Sequence, residues 1–159
     1  PKLAKCDTCI LKEECGAYAN SKVYVVPVKT KKKPVLIKYF NFLIYISNDN
    51  KTIIERRDNN GIWQKLYQFP LVESDKELDA NALLQNPQIQ KKLPSTFYQL
   101  KLINVYPQVH NLSHRKLYIK FWEIRLKNID GNSTSIQNLD NFPFPIVLTR
   151  FINSYFQNN

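Results

Sequence analysis

Methionine is absent from all 159 residues, whereas a chain read from its own start codon carries one at the outset. The sequence is therefore expected to be a processed product or a piece of a longer protein extending upstream of Pro1. Long apolar runs are also missing. The longest, Phe42–Ile46, is far short of the ~20 residues that cross a bilayer as a helix. The N-terminus lacks the charged, apolar and small-residue order of a secretory leader. No membrane partner is expected, and nothing implies an oxidising compartment. Histidine is confined to His110 and His114, both remote in sequence from the three cysteines.

What remains is ordinary for a folded domain, with 43% hydrophobic and 23% charged residues,. The formal net charge is +10. Residues 1–38 hold nine lysines against Asp7, Glu13 and Glu14, a local +6, and the other residues carry +4. Such an excess favours polyanions, although solubility alone accounts for it equally well. Without an amphipathic basic helix, nucleic acid ranks above a lipid surface.

Three segments follow along the chain. Residues 1–20 hold Cys6, Cys9 and Cys15; residues 21–38 read as a linker carrying Lys31, Lys32 and Lys33 before Pro34; residues 39–159 read as one domain. In that domain Tyr39–Ser47 places Phe40, Phe42, Ile44 and Ile46 on one face and Leu43 and Tyr45 on the other, as in a strand covered on both sides. Asn48-Asp49-Asn50 is a turn that returns Lys51–Arg57 as a hairpin partner. Asn59-Asn60-Gly61 is a second turn, before a short strand at Leu66–Phe69. Ser74 and Glu77 have capping-box spacing and predict a helix from there to about Gln85, with a further short turn reaching Leu93. Two long strands are expected at Phe97–Gln108 and Arg115–Lys127, then a polar loop over Gly131–Leu139. A last helix opens at Pro145 and buries Val147, Leu148, Phe151, Ile152 and Tyr155. The class is α/β with a mixed sheet.

Cys6, Cys9 and Cys15 follow a C-x2-C-x5-C spacing that lets thiolates converge on a metal. Three ligands are one short of a structural zinc site, and a disulfide with one odd thiol is also open. The pattern resembles the iron–sulfur motif of the endonuclease-III superfamily, in which a further cysteine precedes these spacings with six residues between. The resemblance implies three of the four ligands of a 4Fe-4S cluster, complete in the intact protein and incomplete or absent here.

Arg56-Arg57-Asp58-Asn59-Asn60-Gly61-Ile62-Trp63-Gln64-Lys65-Leu66-Tyr67-Gln68-Phe69-Pro70 resembles the segment after the first hairpin in C-terminal domains of MutY-type adenine DNA glycosylases. These domains share the Nudix fold, and Trp63 and Phe69 are equally suited to core packing. Asn111-Leu112-Ser113-His114, at the turn between the long strands, resembles the Phe-Ser-His loop of the same family, with Leu112 in place of the aromatic. Taken by itself it is a polar hairpin tip.

The resemblance implies a Nudix-like α/β/α sandwich preceded by a partial iron–sulfur segment. It also implies a role in base excision repair: the intact protein, on bacterial chromosomal DNA in the cytoplasm, removes adenine mispaired with 8-oxoguanine, and this part reads the lesion without catalysing anything alone. Ser113 would serve the altered purine edge, His114 would touch lesion or phosphate, and Leu112 would act as an apolar wedge. Lys31, Lys32, Lys33, Lys65, Arg115 and Lys116 are the candidate backbone contacts; taken singly each reads first as a solvated charge, with the cluster near Ser113 the exception. The implied partners are double-stranded DNA containing 8-oxoguanine opposite adenine and the protein's own N-terminal catalytic domain; the chain is expected to be monomeric.

Two alternatives come from other classes. A Nudix-type nucleotide pyrophosphohydrolase would need a Gly-led box of clustered helical carboxylates; Glu73, Asp75, Glu77 and Asp79 lack its spacing, arginine and glycine. A zinc-binding interaction module on the cysteines lacks a fourth ligand.

Overall fold

The structure, a computed structural model, describes residues 4–26, 28, 34–94, 97–129 and 131–157. The chain divides into two compact units, residues 1–34 and 35–159. The first contains a 3-10 turn at Cys6–Thr8 and a short helix, α1 (Gly16–Ala19), and none of its described residues is buried. No helix among the described residues is long and apolar enough to cross a membrane.

The second unit is built on β1 (Leu36–Ser47), which starts three residues ahead of the expected strand. Its two faces separate as the alternation predicts. Phe40, Phe42, Ile44 and Ile46 enter one core cluster, and Leu43 and Tyr45 enter the other. Both edges of β1 are taken. β8 (Arg115–Leu126) runs parallel to it from Leu36↔Arg115 to Ser47↔Leu126. β5 (Leu71–Ser74) pairs antiparallel over Tyr39–Phe42, and the Leu43 amide donates to Pro70 O at 2.8 Å.

Residues 51–57 therefore do not form the expected hairpin with β1. They divide into β2 (Lys51–Thr52) and β3 (Glu55–Arg56), and β3 pairs with β4 (Tyr67–Gln68). β2 pairs with β9 (Thr134–Ser135). That pairing also corrects the polar loop expected at 131–139, which contains β9 and the start of a 3-10 helix, Ile136–Asn141, anchored by buried Leu139.

The helix expected from Ser74 begins later. Ser74 stays in β5 opposite Tyr39, and its hydroxyl donates to Lys76 O at 2.8 Å. Glu77 is drawn to Lys120 at 2.7 Å, so the capping box never forms. Helix α2 (Ala80–Leu84) is capped instead by Asp79, whose carboxylate accepts from the Ala82 amide at 2.7 Å. A one-turn helix, α3 (Pro87–Gln90), follows with Asn86 as its cap and Pro87 at its first position,.

The long strand expected over 97–108 is interrupted. β6 (Phe97–Leu102) and β7 (Gln108–Asn111) both pair antiparallel with β8. Pro107 has no N–H for a ladder, and Asn104 replaces the lost bonds with its side chain. Its amide oxygen accepts from Phe121 N at 2.7 Å, and its NH2 donates to Ile119 O at 2.9 Å and Tyr106 O at 3.0 Å.

The result is a five-stranded mixed sheet in the order β5-β1-β8-β6, with β7 also on β8. One face packs on Leu78, Leu83 and Ile89 from the α2–α3 region. The other packs on α4 (Ile146–Ile152), through Val147, Leu148, Phe151 and Ile152. Phe151 stacks on Phe121 with ring centroids 3.9 Å apart. Inside the sheet, the Trp122 indole donates to Asn41 Oδ1 at 3.1 Å, so neither buried polar group is orphaned,.

Glu123 on β8 is 4% exposed and accepts from the Tyr155 hydroxyl and from Arg125. Burial pushes its carboxyl up, but the hydrogen bonds from Tyr155 and Arg125 outweigh it and leave the group below its usual value. Burial, with the bond to Glu123, raises the Tyr155 phenol to about 12. A raised phenol stabilises the fold fully below its unfolded value near 10, and that contribution is lost as pH rises through about 12,. In urea titrations from neutral to strongly alkaline pH, Tyr155→Phe is expected to lower stability at pH 7 and to flatten the alkaline decline. An equally steep decline in the variant would show that another group titrates.

Candidate nucleic-acid interface

The β7–β8 connection is a tight hairpin because Asn111 and Lys116 are still in register and the Leu112 amide donates to Arg115 O at 2.8 Å. Ser113 and His114 form its tip and are exposed. No protein group among the described residues holds either side chain. The tip is nevertheless fixed through its backbone, since His114 O accepts from Leu36 N at 3.1 Å at the start of the central parallel pair. Leu112 is half-buried and packs against the α4-side core, which is a different placement from a free wedge.

A second loop supports the hairpin. Between β3 and β4 the backbone of Trp63 and Lys65 lies in the left-handed region, at φ +59° and +66°. Lys65 N donates to Arg57 O at 2.7 Å and Leu66 N to Trp63 O at 3.1 Å, which closes the loop. The Trp63 ring meets Phe40 edge-on at 5.9 Å and His110 at 5.7 Å. His110, two residues before Leu112, thereby joins the hairpin to this loop. The sequence reading did not single it out; its parity with Leu112 on β7 was the available signal.

Charge is distributed unevenly. Lys38, Lys51, Arg56, Arg57, Lys92, Lys120 and Arg125 are in ion pairs with carboxylates. Lys65, Arg115 and Lys116 make none among the described residues, and Lys116 lies over the Tyr118 ring at 5.1 Å. Arg115 and Lys116 adjoin the tip, and Lys65 lies two residues from Trp63 in the supporting loop. Lys31, Lys32 and Lys33 lie outside the described residues.

The four carboxylates after Pro70 are not gathered on a helix. Glu73 meets Arg57 at 3.1 Å, Asp75 meets Lys38 at 2.5 Å, Glu77 meets Lys120 and Asp79 caps α2. In the first unit, Cys6 and Cys15 are half-buried, Cys9 is exposed, and all three are free thiols. Their type suits an iron–sulfur cluster, but a cluster takes four thiolates. The described residues contain no His, Cys, Asp or Glu group arranged to hold a metal. The three cysteines alone do not fit a complete cluster.

The sheet between two helical layers defines an α/β sandwich, and the chain belongs to the NUDIX domain family, whose pattern matches residues 41–154. It is 30% identical over 141 residues to the adenine DNA glycosylase of Buchnera aphidicola subsp. Baizongia pistaciae (strain Bp), across 86% of this chain and 37% of that protein. The chain spans little more than a third of the length of the curated relatives it matches. Its fold is similar to that of the C-terminal domain of mouse MUTYH, solved in complex with human PCNA, with a TM-score of 0.56 and 16% identity over 76% of this chain and 88% of that one. It is also similar to the MutT protein from Methanosarcina mazei Go1, with a TM-score of 0.51 and 11% identity over 82% of this chain and 99% of that one. The expected Nudix-like sandwich and the resemblance to the MutY-type C-terminal domain are both borne out.

The left-handed backbone at exposed Lys65 is costly for any residue with a Cβ. Lys65→Gly is expected to raise the unfolding free energy by about 1 kcal/mol, net of the added freedom of the unfolded chain. Chemical denaturation measures this; a destabilised variant would mean that the lysine side chain itself holds the loop.

Proposed function

We propose that this chain is the lesion-recognition part of an adenine DNA glycosylase of base excision repair, and that its β7–β8 hairpin reads 8-oxoguanine in duplex DNA. The observation that carries the reading is the hairpin tip. Ser113 and His114 are exposed and, among the described residues, unheld at the side chain, on a backbone fixed by hydrogen bonds, with Arg115 and Lys116 beside them making no ion pair among those residues. The likeness to adenine DNA glycosylases over most of the chain supports it.

Guanine offers N7 as an acceptor, whereas 8-oxoguanine carries a proton on N7 and an oxygen at C8. A serine hydroxyl both accepts and donates, so Ser113 Oγ suits the altered edge. His114 contacts the lesion or an adjoining phosphate, and Leu112 braces the tip from the core side. Arg115, Lys116 and Lys65 set the register on the backbone, joined by Lys31, Lys32 and Lys33. The intact protein excises the mispaired adenine after turning it out of the stack into its catalytic domain. A 4Fe-4S cluster belongs to that intact protein, with Cys6, Cys9 and Cys15 as three of its ligands. It acts as a monomer on chromosomal DNA in the cytoplasm.

Membership of the NUDIX family favours one other reading, a nucleotide pyrophosphohydrolase. It is the weaker one, because each box-region carboxylate is committed to an ion pair or a helix cap.

In the intact protein, Ser113→Ala is expected to reduce the preference for 8-oxoguanine over guanine opposite adenine by about 1–3 kcal/mol, the worth of one specific base contact. Paired binding titrations on the two duplexes measure it. Unchanged discrimination removes Ser113 from recognition, and turnover of nucleoside triphosphates by this chain with magnesium would move the assignment to the hydrolase.

A further inference from the structure

The interruption between β6 and β7 opens a cleft of about 450 Å³ against α4. Its floor is closed by buried aromatic rings, Phe121 stacked on Phe151 at 3.9 Å and Tyr155 stacked on Phe151 at 5.2 Å, which turn their edges rather than their faces to the cleft because each inner ring is stacked on both sides. The Tyr155 hydroxyl is bound to Glu123, so the ring, rather than the phenol, is what a ligand meets. Tyr106 lines the cleft with 86% of its surface exposed. Asn104 holds the Tyr106 carbonyl at 3.0 Å while also binding β8, so the backbone that carries the Tyr106 ring is fixed. Gln108 and Arg150 complete the lining; both are exposed, and Arg150 has no carboxylate partner among the described residues. No acidic side chain among the described residues lines the cleft.

We propose that this cleft receives an unstacked nucleobase of single-stranded DNA, held between Tyr106 and the aromatic floor. The volume is in the range of small-ligand sites. The exposed Tyr106 ring offers a face on which any base can stack, because every base has a π-face, and the ring edges of the floor back the base from below. Gln108 supplies a donor and an acceptor for a base edge, and Arg150 is positioned for the flanking phosphate. An apolar peptide side chain would fill the floor equally well but would leave Arg150 and the acid-free lining without a complement. The cleft also continues the recognition hairpin. Gln108 and His110 project from the same face of β7, and Asn111 at the end of that strand leads directly to Ser113. The proposal rests on the reading that this chain binds DNA, and it adds a second contact that accepts a base displaced from pairing.

The test uses the chain itself at low salt, with a short oligothymidylate and an abasic strand of the same length as probes. The chain is expected to bind the base-bearing strand about tenfold more tightly, in line with one base–aromatic stack. Tyr106→Ala should abolish the difference and Tyr106→Phe should keep it; because Tyr106 is exposed, thermal melting should be unchanged in both. Equal binding of the two strands by the unaltered chain overturns the proposal, as does a preference that survives Tyr106→Ala. If either occurs while lesion duplex still binds, the cleft assignment alone fails; if no DNA binds at all, the DNA reading fails with it.

Discussion

The parallel pairing of β1 with β8 is the constraint on which the rest of the structure depends. Twelve residues of each strand lie side by side, and both strands are apolar on both faces at their centre. A parallel pair cannot be closed by a short turn, and its faces have to be covered by helices. The chain between the strands therefore supplies the α2–α3 cover, and the chain after them supplies α4. The same register sets Arg115 opposite Leu36, so the β7–β8 hairpin must emerge where β1 begins. Position and rigidity of the tip thus follow from the core, while its chemistry is left to Ser113 and His114.

Family membership and chemistry part company at the segment after Pro70. The NUDIX pattern covers most of the chain, yet the acidic residues that would have to gather around a cation are dispersed. Lys120 is nearly buried, held by Leu78 O at 2.8 Å and Glu77 at 2.7 Å. Arg57 is tied to both Gln68 and Glu73. Each carboxylate meets a side-chain cation or a helix end, which is a structural use of groups that hydrolysis would need free. The sheet is retained as a scaffold, and function has to be argued from whatever sites it presents.

The sequence showed the central features where the information was local. The two faces of β1 and the buried stripe of the last helix both follow from periodicity. The hairpin at Ser113 was visible as a polar interval between two strands. What was not legible depended on partners distant in sequence. Glu77 has capping-box spacing but answers to Lys120, and Lys51–Arg57 finds no free edge on β1. The strand expected over 97–108 runs through Pro107, and only the structure shows that it breaks there and that Asn104 bridges the gap. His110 gains its place from a tryptophan in another loop, which no motif records.

The loop between β3 and β4 carries the backbone cost of this arrangement. Trp63 and Lys65 both occupy the left-handed region, where a residue with a Cβ costs about 1–2 kcal/mol. Trp63 recovers part of that by packing on Phe40 and His110. Exposed Lys65 makes no comparable contact, and glycine would fit the backbone better. The strain is therefore held at an exposed cation beside the loop that supports the hairpin, and the apolar contacts of Trp63 lie behind the tip,.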